Sequence, residues 1–232
     1  MTTFRFPRHS VTAVISLLLI WFLVGCGGRP LLPESGEGPG GEQIAGTDFT
    51  ESFVAGQTGN WLIEQDDVGS TSIVNEQLLI TVAAPNTVQY STLQDREYGD
   101  FAVEVDVTQL AGPAESSYGI IFRAIDGQQF YRFDITGNGL FIIERHNSDG
   151  TWTRLVPEWI PASALNQGLN VTNRLRVLAS GQTLTFYAND VLLTQINDAT
   201  YASGAVGLDA GTFGGSNLQV AFDNVVITGN AP

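Results

Sequence analysis

The sequence predicts an all-β sandwich of two antiparallel sheets, and three observations carry that prediction. Between residues 117 and 145 it reads SYGIIFRAIDGQQFYRFDITGNGLFIIER, three runs of alternating side chains separated by Asp126-Gly127 and by Gly137-Asn138-Gly139, which is the pattern of a β-meander. Further short apolar runs recur at 77–82, 101–110, 151–156, 174–179, 183–188, 191–196, 205–209 and 218–227, with residues that tolerate positive φ, such as Asn189-Asp190 and Asp149-Gly150, between neighbours. Helical periodicity is confined to a single candidate turn at 162–166.

Taken in order, the chain of 232 residues opens on MTTFRFPRHS, with Arg5 and Arg8 ahead of the uncharged run 11–24, apolar except for Thr12 and Ser16. That is the layout of a secretory signal, and a run of fourteen residues falls short of the roughly 20 that a spanning helix needs. The run ends in Leu23-Val24-Gly25-Cys26, which resembles the lipobox of bacterial lipoproteins. The resemblance implies cleavage of residues 1–25 and a lipid-modified Cys26 at the new N-terminus, hence a lipid-anchored protein on the extracytoplasmic face of the cell membrane. Cys26 is the only cysteine, so no disulfide can form within the chain.

Residues 26–47 form a Gly/Pro-rich linker with almost no apolar content, expected to be a disordered tether. Loss of residues 1–25 would remove two basic residues and none of the 24 carboxylates, so the formal charge moves from −14 to −16, without a single lysine. Nucleic acid is therefore excluded as a partner, because phosphate binding needs clustered basic side chains. From 48 to 229 the chain is long enough for one sandwich with a substantial core.

Within that domain Phe101, Val103, Val105 and Val107 alternate with Ala102, Glu104, Asp106 and Thr108, so one face of this strand is core and the other polar. In the meander, Tyr118, Ile120 and Phe122 share a face, as do Tyr131, Phe133 and Ile135; Arg123, Arg132 and Asp134 fall on the opposite one. Burying an unpaired charge is costly, so the arginine-bearing face is expected to be the outer or groove face.

The segments YGIIFRA, DGQQFYRFDI, NGLFIIER, RLRVLASGQTLTFYANDVLL, GAVGLDA and VAFDNVVI, in that order, resemble the concanavalin A-like jelly rolls of the laminin G and 3-keto-disaccharide hydrolase type. The resemblance covers 48–228 and implies two sheets of about six strands, with the first segment beside the last strand and a groove on a curved sheet. It implies a lectin-like module that binds a glycan or another surface ligand, or alternatively a glycoside-active enzyme or a structural and adhesion module.

The expected ligand face consists of Arg123, Arg132, Asp134 and Arg145 with Trp152 as a stacking platform, beside Trp159 and Phe130; opposite charges on neighbouring strands also pair with one another without any ligand. The segment from Glu104 to Gln109 is similar to the catalytic strand of laminarinase-type β-glucanases, but Thr108 and Gln109 stand where a further carboxylate is needed. Glu104 and Asp106 are the remaining candidates for carboxylate chemistry. Outside the signal His146 is the only histidine, which excludes a His-rich zinc site. No cofactor is called for; calcium, which takes only oxygen ligands, has Asp66, Asp67 and Asp209 as candidate donors.

Overall fold

The computed structural model describes residues 48–229; the signal, Cys26 and linker expectations lie outside the described residues. Fifteen strands follow one another: β1 (Phe49–Glu51), β2 (Gly69–Val74), β3 (Gln77–Val82), β4 (Val88–Thr92), β5 (Phe101–Ala111), β6 (Ser117–Asp126), β7 (Gln129–Thr136), β8 (Leu140–His146), β9 (Trp152–Arg154), β10 (Ile160–Pro161), β11 (Thr172–Ser180), β12 (Thr183–Ala188), β13 (Val191–Asn197), β14 (Ala205–Gly211) and β15 (Leu218–Gly229). Among the described residues there is no helix; at 162–166 the expected helical turn is an irregular turn closed by Leu165 N–H donating to the Ala162 carbonyl at 3.1 Å.

The strands form two antiparallel sheets. One has the order β13-β12-β11-β5-β15-β3-β2, with β1 also on β15. The other has the order β10-β8-β7-β6-β14-β4, with β9 also on β8. As the resemblance implies, the first strand returns to the last, Phe49 opposite Ile227 and Glu51 opposite Val225.

Alternation places the core. Along β5, Phe101, Val103, Val105 and Val107 are wholly buried while Glu104 and Asp106 are only half-buried, so a period of two has put one face inward. From the second sheet Tyr118, Ile120, Phe122, Tyr131, Phe133 and Ile135 point at it. The two layers meet through rings: Phe186 of β12 lies 5.2 Å from Phe133 of β7 and 6.0 Å from Phe122 of β6. Each such ring contributes about 1.5–3 kcal/mol by leaving water.

The turns are made by residues suited to them. Asn189 and Asp190 both have positive φ, 50° and 64°, and close the β12–β13 hairpin as a two-residue turn. Trp61 is core, and its indole N–H donates to Glu51 at 3.3 Å, which ties the first strand to the loop after it.

Candidate functional site

The outer face of the β8-β7-β6-β14-β4 portion of the second sheet carries the densest chemistry in the described residues. Strand pairing sets it out in rows. Tyr90, Asp209, Gly119, Asp134 and Ile142 lie side by side across β4, β14, β6, β7 and β8. The neighbouring row on the same face runs Thr92, Gly207, Ile121, Arg132, Glu144 and Arg154, and the next holds Phe130, His146 and Trp152. Residues distant in sequence thus become neighbours because antiparallel partners face the same side.

Arg132 is the hub. It is 3 % exposed, and its guanidinium reaches Glu144 at 2.6 Å through one terminal nitrogen, Asp209 at 3.5 Å through the other and Asp134 at 3.4 Å through Nε. Its flat face lies 4.5 Å from the Trp152 ring, a cation–π contact. Burial opposes the charge, but Asp134, Asp209 and Glu144 together raise its pKa above the ordinary arginine value, so it stays cationic.

Beneath it Asp134 and Asp209 are completely buried. Gly119 stands between them in the row, and its missing side chain leaves room for the Asp134 carboxyl, whose Oδ1 would lie 2.9 Å from a Cβ there. Burial raises the pKa of Asp209 well above the carboxylate range, and repulsion from Asp134 adds to it; Arg132 pulls the other way. Burial likewise raises Asp134, against the attraction of Arg132. Asp134 and Asp209 share the one guanidinium of Arg132, so charging either acid bears on the other.

This has a consequence for stability. A group whose folded pKa is raised stabilises fully below its unfolded value of about 3.8 and loses that contribution as pH rises toward the folded pKa. The Asp209→Asn variant, whose amide has the same shape but does not titrate, is expected to remove this slope, at most about 1.4 kcal/mol per pH unit. Urea midpoints measured from acid to neutral pH test it: the wild-type protein should lose ground on the variant as pH rises, and parallel curves would show that Asp209 is ionised throughout.

Above the hub the face opens into a cavity of about 290 Å³ lined by Arg132, Glu144, Trp152, Arg154, Trp159 and Phe213. Trp159 directly precedes β10, whose Ile160 pairs with Phe141, so it stands beside the row containing Ile142 and Asp134. Its ring meets Phe213 edge to face with centroids 6.0 Å apart. Trp152 is set by His146 (4.6 Å between centroids) and by Phe130 (5.6 Å), and the His146 Nδ1 is 2.6 Å from the Gln128 carbonyl. Burial lowers the His146 pKa, which keeps this ring neutral for stacking near pH 7.

The structure brings together Arg132, Asp134 and Trp152 and separates them from the other sequence candidates. Arg123 is not on the groove. The β6–β7 pairing is irregular between Phe122 and Asp126, and Arg123 has φ 48°; its side chain turns to the carbonyls of Gly99 (3.0 Å) and Tyr201 (3.0 Å), with Asp100 at 3.5 Å. Arg145 pairs with Tyr131, a core-facing residue, and so lies on the opposite side of β8 from Glu144; it is bound to Asp198 at 2.5 Å.

Glu104 and Asp106 belong to the other sheet, on its outer face. Asp106 is 2.9 Å from Arg174 and accepts a bond from Asn224 at 3.0 Å. Burial works to raise its pKa, but the bonds from Arg174 and Asn224 outweigh it and lower the pKa, which makes Asp106 a poor proton acceptor. The calcium donors are likewise dispersed: Asp66 accepts from Val68 N–H and Gly69 N–H within its own loop, and Asp209 lies on β14 against Arg132. Among the described residues no cluster of three or more acidic, histidine or cysteine side chains is placed to hold a metal ion.

Known families and curated proteins contain no sequence match to this chain. Solved structures do share its fold. The carbohydrate binding module CBM66 from Bacillus subtilis superposes with a TM-score of 0.59 at 17% identity, covering 73% of this chain and 96% of the module. The β-glucanase of Bacillus licheniformis gives 0.59 at 14% identity, over 79% and 99% of the two chains. The Crh5 transglycosylase in complex with NAG gives 0.58 at 12% identity, over 81% and 86%. The chain is a concanavalin A-like jelly roll of two antiparallel sheets.

Proposed function

We propose that this protein is a carbohydrate-binding module, held on the extracytoplasmic face of a membrane by lipid on Cys26. The observation that carries the reading is the cavity over Arg132, with two tryptophans, Glu144 and Arg154 in one wall-and-floor arrangement. An aromatic face stacks on the apolar face of a sugar ring, and planar guanidinium and carboxylate groups bond its hydroxyls in pairs. The volume of 290 Å³ is at the small end for ligand sites, which matches one or two sugar rings. Neighbours named for carbohydrate binding and for glucan or glycan chemistry support the same class.

A binding role accounts for the carboxylates better than hydrolysis does. Retention requires two carboxyl groups about 5–5.5 Å apart facing the substrate. Of the three acids here only Glu144 borders the cavity, while Asp134 and Asp209 are sealed beneath Arg132. For 3-keto-disaccharide cleavage based on Glu104 or Asp106, the lowered pKa of Asp106 is unfavourable. Titration calorimetry of the purified protein against a panel of oligosaccharides tests the reading. Trp159→Ala is expected to weaken binding about tenfold without changing the melting temperature by more than a few degrees, the loss of one stacking contact. Equal affinity in this variant would move the binding site elsewhere.

A further inference from the structure

Resting on that reading of the groove, we infer that its ligand is an uncharged sugar, a neutral hexose or pentose unit rather than a uronic, sialic, sulfated or phosphorylated one. The residue that ordinarily captures an anion is already committed. Arginine binds carboxylate or phosphate by presenting two parallel N–H groups. In Arg132 all three nitrogens are directed at acids, Nε at Asp134, one terminal nitrogen at Asp209 and the other at Glu144, and the face is covered by Trp152. With 3 % exposure it has no edge to offer a ligand.

The second cation is also opposed. Arg154 is exposed, but its Nε lies 3.6 Å from the other Glu144 oxygen, so an anion approaching it meets a carboxylate at the same point. The local cations are already matched: the two guanidinium groups of Arg132 and Arg154 face three acids, Glu144, Asp134 and Asp209. An anionic ligand would have no surplus of positive charge to neutralise it, and leaving water uncompensated is costly. The chain's formal charge of −14 adds repulsion on approach. A neutral ring meets no such penalty, because Trp159 supplies stacking surface and the ring's hydroxyls can accept from Arg154 and donate to Glu144.

The test compares neutral gluco-, galacto-, manno-, xylo- and fructo-oligosaccharides with uronic, sialylated and sulfated oligosaccharides, on wild-type protein and Trp159→Ala, at low and high salt. Expected is binding of at least one neutral series, weakened in Trp159→Ala, with affinity changing less than about twofold with salt. Charged oligosaccharides should bind at least about tenfold more weakly than that series. A charged ligand that binds more tightly than every neutral one, loses affinity in salt and is sensitive to Trp159→Ala overturns the inference while leaving the groove as the sugar site. If neither class binds, or if binding ignores Trp159→Ala, the groove reading falls and takes this inference with it.

Discussion

Replacing Arg132 with methionine is expected to cost about 3–5 kcal/mol, a large share of the 5–15 kcal/mol that holds a domain folded. The side chain is 3 % exposed and is the cation shared by Asp134, Asp209 and Glu144. Methionine fills much of the volume but leaves those acids to repel one another in a buried site, where an uncompensated charge is far more costly than the loss of a contact. The deficit should depend on pH. Without Arg132 the folded pKa values of Asp134 and Asp209, already raised by burial, rise further, so the variant loses stability as pH climbs above the unfolded value of 3.8. Urea unfolding at about pH 4.5 and about pH 7.5 should therefore show a small loss in acid and a large one near neutrality. Adding Asp134→Asn and Asp209→Asn to Arg132→Met should recover most of it, since an uncharged set no longer needs the cation. A loss that is the same at both pH values and is not rescued would mean that Arg132 acts by packing alone.

The two-layer fold was legible because it depends on local period and local turns. Alternation along 101–110 and through the meander assigns inner and outer faces, and Asn189-Asp190 or Gly137-Asn138-Gly139 mark reversals, without any knowledge of what packs where. β2 (GSTSIV) and β4 (VQYST) were not separable from loops because their residues are mostly polar, and β10 because it is only two residues long. The site was legible only as far as one strand reaches: Arg132 and Asp134 share a face by parity. Asp209 joins them because β14 inserts between β6 and β4, a non-local pairing, so the acid that ends the run at 205–209 shows nothing in sequence of its neighbours.

Arg145 shows how little separates a right assignment from a wrong one. Its neighbour Glu144 is the residue that meets Arg132, and in a strand a shift of one residue reverses the face. Arg123 was displaced by a bulge at a residue type that carries no turn signal, since a positive φ is ordinarily expected of Gly or Asn rather than Arg. The available clue to the buried acid pair was glycine. Gly119 in an otherwise bulky strand, and Gly207 two residues before Asp209, mark places where neighbouring side chains need the space.

Gly119→Ala is the sharpest test of that last point, and it is expected to destabilise the protein by at least about 3 kcal/mol. A Cβ built at Gly119 lies 2.0 Å from the Phe133 carbonyl oxygen, 2.9 Å from the Asp134 Cα and 2.9 Å from Asp134 Oδ1. The first two are backbone atoms of the paired strand, so no rotation of a side chain relieves them. Either the β6–β7 ladder parts at its centre, or Asp134 is driven away from Arg132 and the carboxyl pair is broken. For a domain of this size the melting temperature should fall by roughly 6–12 °C. Gly99→Ala is the matched control: its Cβ would find nothing nearer than the Ala202 carbonyl at 3.9 Å, and its melting temperature should stay within about 2 °C of wild type. If Gly119→Ala melts with the control, the narrow gap between Asp134 and Asp209 is not what holds the two acids on Arg132. If it melts early and also binds sugar less well, the damage at the floor of the groove has reached the Trp152 and Glu144 positions above it, which ties the stability of the buried pair to the shape of the cavity.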